Sequence, residues 1–371
     1  MKVSENKRKL GLLLKLMILM NVLNSFGLIA AYMATHISPT SFVYFSFFGL
    51  TFPIWLTIEV LFIVFWLFFS KKLMLISFVT ILLGFNHVTN FFAVNMIDSK
   101  MTASVKILSY NVKIFNLYDL ENRESLRDAN FKFLQEEDAG IYCFQEFYHQ
   151  ETEGVNPFIT KDHLVEILNT PYHHERYTHE MSHKRYFGVA TFSRYPIIGK
   201  GEIAFENDAN NFCIYSDIVV NEDTFRVFNG HLGSIRFQND DYKFFDETED
   251  KKKYVNEEAG QRIYNLLKNA FIKRSSQAEK VAKEIENSPY PAIFCGDLND
   301  TPVSYAYTQF EDQLDDAFVA SGNGIGQTYI GKIPSNRIDY IFYDPDLKSK
   351  DFETHSVSFS DHKAVSCWIG K

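Results

Sequence analysis

Three long apolar stretches, 11–34, 43–69 and 73–94, fill most of the first hundred residues. Each approaches or exceeds the roughly 20 residues a helix needs to cross about 30 Å of hydrocarbon. Their polar interruptions are few: Lys15 near the start of the first, Glu59 in the second, and Asn86, His87 and Asn90 in the third. Lys15 can snorkel to the headgroups. Glu59 reads as facing a neighbouring helix or sitting protonated in a bundle, with a transport role as the competing reading, and His87 reads as an interface residue. No small-residue cleavage site follows a short apolar core in the first stretch, so it reads as a span and not a signal peptide.

Beyond residue 101 the period changes. Short β-type runs at 105–112, 140–144, 188–192, 212–220, 224–232, 292–295, 337–343 and 364–369 alternate with helical stretches at 122–136, 161–168 and 258–286. The last helix carries Ile263, Leu267, Ala270, Ala278, Val281 and Ile285 on one stripe, which marks a core-facing side. The segment 237–256, charged and aromatic, reads as a solvated insertion, with a lid over the site as its alternative. The chain therefore divides into a membrane region over 1–100, with about three transmembrane helices, and a soluble domain over 101–371.

Charge sharpens this division. Of 37 Lys+Arg and 46 Asp+Glu, the first hundred residues hold 8 and 3, a net +5 against −14 for the remainder. Lys2, Lys7, Arg8 and Lys9 precede the first stretch and Lys71 and Lys72 separate the second from the third, whereas 36–41 has no Lys or Arg. The positive-inside bias keeps the N-terminus and the second loop cytoplasmic. Three crossings then export the large domain to the extracytoplasmic, periplasmic side; if the third stretch does not cross, the domain faces the cytoplasm. Cys143, Cys213, Cys295 and Cys367 each lie in an apolar run and read as buried thiols, with neither zinc-site nor disulfide spacing.

The candidate chemistry sits at strand ends: Ser109-Tyr110-Asn111-Val112, Phe144-Gln145-Glu146, Asn229-Gly230-His231-Leu232, Gly296-Asp297-Leu298-Asn299, Arg337-Ile338-Asp339-Tyr340 and Ser360-Asp361-His362. Turn chemistry explains one such residue, not six. Alternation in extended chain lets Asp297 and Asn299 share a pocket while Leu298 faces the core, and a turn at Asp361-His362 would give those neighbours separate tasks. Each residue also has a plainer reading. Asn111 could close a turn, Asn299 could make an Asx-turn after Asp297, His231 could be a satisfied core histidine, and Asp339 could pair with Arg337. Ser193, Arg194 and Pro196 read as architecture.

Taken in order with G-V-A-T-F-S-R-Y-P-I at 188–197, these motifs resemble the endonuclease/exonuclease/phosphatase superfamily over about 104–371, including a bacterial branch with a membrane-anchored N-terminal region. The resemblance implies an α+β fold, the four-layer α/β/β/α sandwich of the deoxyribonuclease I-like proteins, here preceded by a transmembrane helical region. It also implies a hydrolase of phosphoester bonds, a nuclease, phosphodiesterase or phosphatase, using Mg²⁺ or Mn²⁺. By the same resemblance, Glu146, Asn111 and Asp361 would hold the metal, and Asp297 and Asn299 would direct the attacking water. His362, kept cationic by Asp339, and His231 would face the phosphate.

The substrate is less defined. Polymer-gripping nucleases gain affinity from Lys and Arg on phosphates, and this acidic domain shows no basic stripe; Lys251–Lys253 sits among acids. Nucleic acid, phospholipid and small phosphoesters all stay open, and Tyr242, Phe244 and Phe245 are candidates for a lipid-contacting loop. The bilayer is the other partner implied, and no protein partner is evident. The alternative function class is a catalytically degenerate, membrane-anchored binding or scaffolding protein. Against it, none of the motif positions is missing.

Overall fold

Val105 to Asn111 is buried on both faces apart from Lys106, the pattern of a strand inside a sheet and not at its rim. The computed structural model describes residues 2–95, 101, 104–151, 158–181, 185–206, 208–235, 237–238, 241, 257–331 and 337–371. Two six-stranded sheets form the large domain. One contains β1 (Val105–Asn111), β2 (Ile141–Gln150), β3 (Tyr172–Met181), β4 (Arg185–Ser193), β11 (Lys348–Thr354) and β12 (Val365–Gly370), in the order β11-β12-β1-β2-β4-β3. The other contains β5 (Ile197–Ala204), β6 (Phe212–Val220), β7 (Asp223–His231), β8 (Ala292–Asp297), β9 (Asp315–Asp316) and β10 (Asp339–Tyr343), in the order β5-β6-β7-β8-β10-β9.

The sheets pack face to face on Ile107, Cys143, Val227, Cys295, Ile341, Val365 and Cys367. All four cysteines are buried free thiols. Helices Arg123–Glu137 and Lys161–Ile167 cover the first sheet through Phe131, Leu134 and Leu164. Helices Glu257–Glu286 and Tyr305–Glu311 cover the second through Ala278, Val281, Ile285, Ala306 and Phe310. The result is the α/β/β/α order, each large buried aliphatic side chain contributing about 1.5–3 kcal/mol by leaving water. Four strands lack a counterpart among the expected runs: β3, β5, β9 and β11. They are the four sheet edges.

The N-terminal region is helical. Two helices are long and apolar enough to cross a membrane, Gly11–His36 and Phe52–Phe69, and Lys71–Leu83 with Phe85–Phe91 makes a third candidate bent by 66°. The expected span at 43–69 is therefore too long. Tyr44–Leu50 is a separate helix, and Pro53, in the first turn of Phe52–Phe69, lacks the N–H that would continue it. Glu59 faces a neighbour: its Oε1 accepts from Asn24 Nδ2 (3.0 Å) and Ser25 Oγ (2.8 Å), its Oε2 from Asn21 Nδ2 (3.2 Å). Asn21 also donates to Ser77 Oγ (2.7 Å) and accepts from Trp66 Nε1 (2.8 Å), so one polar knot ties the three helical segments. His87 stacks on Tyr32 at 5.0 Å, an interface position.

The helices dock on the large domain. Val303 joins Leu28, Ala31, Tyr32 and Phe52 in one apolar cluster, and a Cβ on Gly49 would lie 2.4 Å from the Val303 carbonyl oxygen. Phe47 stacks on Tyr264 at 5.2 Å. Buried Arg337 donates to the Asn90 carbonyl (2.7 Å) and to Asp316 Oδ2 (2.5 Å).

Candidate active site

The second sheet supplies a rung of three polar residues. Asp297, the last residue of β8, is in register with His231 of parallel β7 on one side and with Asp339 of antiparallel β10 on the other. The first sheet faces this rung with Asn111 at the end of β1, Glu146 in β2, and the bend Ser360-Asp361-His362 before β12.

These side chains converge. Asn111 Nδ2 donates to Asp297 Oδ2 (3.1 Å). His231 Nε2 lies 3.7 Å from Asp297 Oδ2 and 3.9 Å from Glu146 Oε1, buried and without a hydrogen-bond partner. His362 Nε2 is 3.8 Å from Asp297 Oδ2, while its Nδ1 meets both Asp339 oxygens at 2.9 and 3.1 Å. Arg337 pairs with Asp316, so Asp339 is left to His362. The bend separates the neighbours: Asp361 Oδ2 turns to Lys113 Nζ (3.0 Å) while His362 turns inward. Asn299 takes the Asx-turn geometry, its backbone N–H donating to Asp297 Oδ1 (2.7 Å) and its Nδ2 to the Leu232 carbonyl (3.0 Å). Leu298 is fully buried.

Two backbone departures shape the site. The β2–β4 register shifts between Phe144 and Phe147, and Glu146 has φ 49°, so a bulge turns its side chain into the cleft, where 39% of it is exposed. After β1, Lys113, Ile114, Phe115 and Asn116 have φ of 45°, 48°, 51° and 53°. Left-handed backbone costs L-residues roughly 1–2 kcal/mol each, and such strain persists only where the surroundings enforce it. Here the Lys113 N–H donates to Asn111 Oδ1 (3.1 Å), Asn116 Nδ2 donates to the Phe359 carbonyl, and Phe115 packs edge-on against Phe131 and Phe147.

The electrostatics follow from burial and from these neighbours. Burial, then the Asp339 charge, pushes Asp297 up to about 6 against the opposing pull of His362 and His231. Burial works against protonated His362, but Asp339 and Asp297 outweigh it and push its pKa up to about 10. His231 is lowered by burial, only partly offset by Asp297. Glu146 is raised by burial, with His362 opposing.

Three residues of the cluster have the types and spacing of a possible metal site. Asp297, Asp339 and His362 each bring one ligand atom within 4.8 Å of the others. A protonated imidazole whose Nδ1 is held by Asp339 cannot ligate, however, so that trio behaves as an ion-pair chain. Glu146 and Asp361 remain as oxygen donors on the open side, beside the unpartnered His231 Nε2. An adjoining cleft of about 470 Å³ is lined by Ile114, Tyr118, Phe187 and Val189 together with Glu146 and His231.

Sequence reasoning did not assign Gln145 or Asn229. Gln145 Nε2 donates to Asn229 Oδ1 (2.8 Å), and Asn229 Nδ2 donates to the Ala190 carbonyl (3.0 Å) and Thr191 Oγ1 (3.2 Å), making a buried strut between the sheets under Glu146 and His231. A signal was present: Asn229 lies two residues before His231, hence on the same face of β7. Tyr242, Phe244, Phe245 and Lys251–Lys253 lie outside the described residues, as does the 237–256 insertion apart from Phe237, Gln238 and Asp241.

Comparison with known proteins agrees with this architecture. Residues 108–362 match the Endonuclease/Exonuclease/phosphatase family, and residues 14–91 match a domain of unknown function (DUF8431). No curated protein matches the chain. Among solved structures, an endonuclease/exonuclease/phosphatase from Beutenbergia cavernae is similar at 16% identity and TM-score 0.52, covering 72% of this chain and 72% of that one. One from Bacteroides vulgatus is similar at 17% and 0.51, covering 72% and 99%. The human Nocturnin catalytic domain with bound sulfate is similar at 16% and 0.51, covering 74% and 96%. At these identities the likeness is one of fold.

Proposed function

Because this chain belongs to the endonuclease/exonuclease/phosphatase family, we propose that it is a membrane-anchored, Mg²⁺- or Mn²⁺-dependent phosphoesterase that cleaves phosphodiester or phosphomonoester bonds by in-line attack of water. Members of the family typically hydrolyse phosphoester bonds and usually use divalent metal ions. The observation carrying the proposal is the convergence of His231, Asp297, Asp339 and His362 from separate segments onto one point facing Glu146.

Glu146 and Asp361, with Asn111 beside them, would hold the ion; hard oxygen ligands and few protein contacts suit Mg²⁺. When bound, the ion neutralises phosphate charge and polarises the ester. Asp297 takes the proton of the attacking water, and a carboxylate raised to about 6 is ionised yet basic at neutral pH. Asn299 fixes the orientation of that carboxylate through its backbone N–H. His362, cationic against Asp339, stabilises the charge that develops on the phosphate, and neutral His231 offers Nε2 at the ester oxygens.

The division into a membrane region over 1–100 and a catalytic domain over 101–371 is part of the same proposal, as is an extracytoplasmic site. It is supported by where the domain touches the helices. Leu28, Ala31, Phe52 and Asn90 lie at the helix ends remote from Lys71 and Lys72, the ends joined by the segment without Lys or Arg. The acidity of the domain favours lipid or small phosphoesters over a long polyanion.

The test is the full chain in detergent, offered DNA, RNA, phospholipid vesicles, inositol phosphates and nucleotides with Mg²⁺ or Mn²⁺. The proposal fails if no phosphoester is hydrolysed above the level of Asp297→Asn and His362→Ala. That outcome would favour the scaffolding alternative.

A further inference from the structure

The strained turn after β1 has no task in the chemistry above. Four consecutive non-glycine residues in left-handed backbone are retained by anchors at both ends, and one result is the position of the Lys113 ammonium, 3.0 Å from Asp361 Oδ2. Among the described residues, Lys113 is the only Lys or Arg in ion-pair contact with a carboxylate of this cluster; Glu146, Asp297 and Asp339 meet histidines. The pair is not sealed: 45% of the Lys113 side chain and 28% of that of Asp361 are exposed. The flexible tetramethylene stem can therefore leave without breaking the fold.

We infer that Lys113 is the built-in counter-ion of the cation site, an ammonium that neutralises Asp361 until a divalent ion displaces it. This rests on Asp361 being a ligand of that ion. A like charge that must be expelled weakens ion binding, so Lys113 sets the affinity of the site below what its oxygens alone would give. A mere brace for the turn has the opposite sign, since its loss would misplace Asp361 and weaken binding.

The sign can be read directly. Mn²⁺ is titrated calorimetrically into the full chain in detergent, beside Lys113→Met, Lys113→Arg and Glu146→Gln. Lys113→Met is expected to bind Mn²⁺ about two- to fivefold more tightly, the range an exposed ion pair allows. Lys113→Arg, which keeps the charge, is expected to stay near wild type, and Glu146→Gln to lose binding. Lys113→Gln serves as a second neutral variant if methionine at 113 does not fold. Unchanged or weaker binding by the neutral variants, with wild type and Glu146→Gln behaving as stated, would overturn the counter-ion role alone. A wild type that takes up no Mn²⁺, or a Glu146→Gln that binds like wild type, would overturn the metal site and the counter-ion with it.

Discussion

Asp297 and Asp339 lie directly opposite each other on antiparallel β8 and β10, and both reach the same imidazole, that of His362, from its two nitrogens. Two acids so close do not both hold their charge cheaply. The protonated histidine between them is what permits it, and in return they hold its proton.

The first prediction follows from that sharing. Activity should rise as pH passes about 6, where Asp297 loses its proton, and fall as it passes about 10, where His362 loses its own. Asp339 raises both groups, so Asp339→Asn should move both limbs to lower pH. A kcat/KM profile at saturating Mg²⁺ reads this, and an unmoved upper limb would count against the pairing.

Removing the base itself should be costlier. Asp297→Asn is expected to lower kcat by roughly 10²–10⁴-fold, the usual worth of a positioned acid–base group. Binding of a substrate analogue should change little, which separates chemistry from misfolding.

The strut beneath the site gives a stability prediction. Asn229→Ala removes the nearest of the three acceptors of Gln145 Nε2, leaving Ser109 Oγ and the Cys143 carbonyl at 3.3 Å each, and takes the Asn229 donor from the Ala190 carbonyl. Each buried hydrogen bond lost costs about 0.5–1.5 kcal/mol. Thermal unfolding in detergent should register a clear drop in Tm, and a melting curve superimposable on wild type would contradict the arrangement.

At the helix–domain seam, Arg337→Met should leave Asp316 as an unpaired buried charge, destabilising by about 3–5 kcal/mol. Gly49→Val should loosen the same seam from the other side by driving a side chain into the Val303 carbonyl. Thermal melts of the two variants test both statements.

Much of this architecture was legible in the sequence, and the exceptions share a cause. Interior strands such as Ala292–Asp297 are buried on both faces and read as apolar runs. The edge strands do not: Tyr172–Met181 reads Y-H-H-E-R-Y-T-H-E-M, and Lys348–Thr354 reads K-S-K-D-F-E-T. An edge needs only one covered face and is protected by polar residues from pairing with other chains, which removes the signal a reader seeks. The helix break before Phe52 had a local mark in Pro53, masked by the hydropathy around it. At the site, the residues carrying motifs were visible one by one. The Gln145–Asn229 strut and the Lys113–Asp361 pair were not, because each joins positions more than 80 residues apart whose meeting depends on how the sheets face each other.

The docking of the helices also bears on how the protein can be handled. Severing the chain near residue 100 would strip Val303 of Leu28, Ala31, Tyr32 and Phe52, Arg337 of the Asn90 carbonyl, and Tyr264 of its stacked Phe47. The excised domain would thus keep a sticky facet and an unfilled donor although every apolar helix had been removed, and it should self-associate in plain buffer. In this chain the apolar helices double as a solubilising cap for the part they carry.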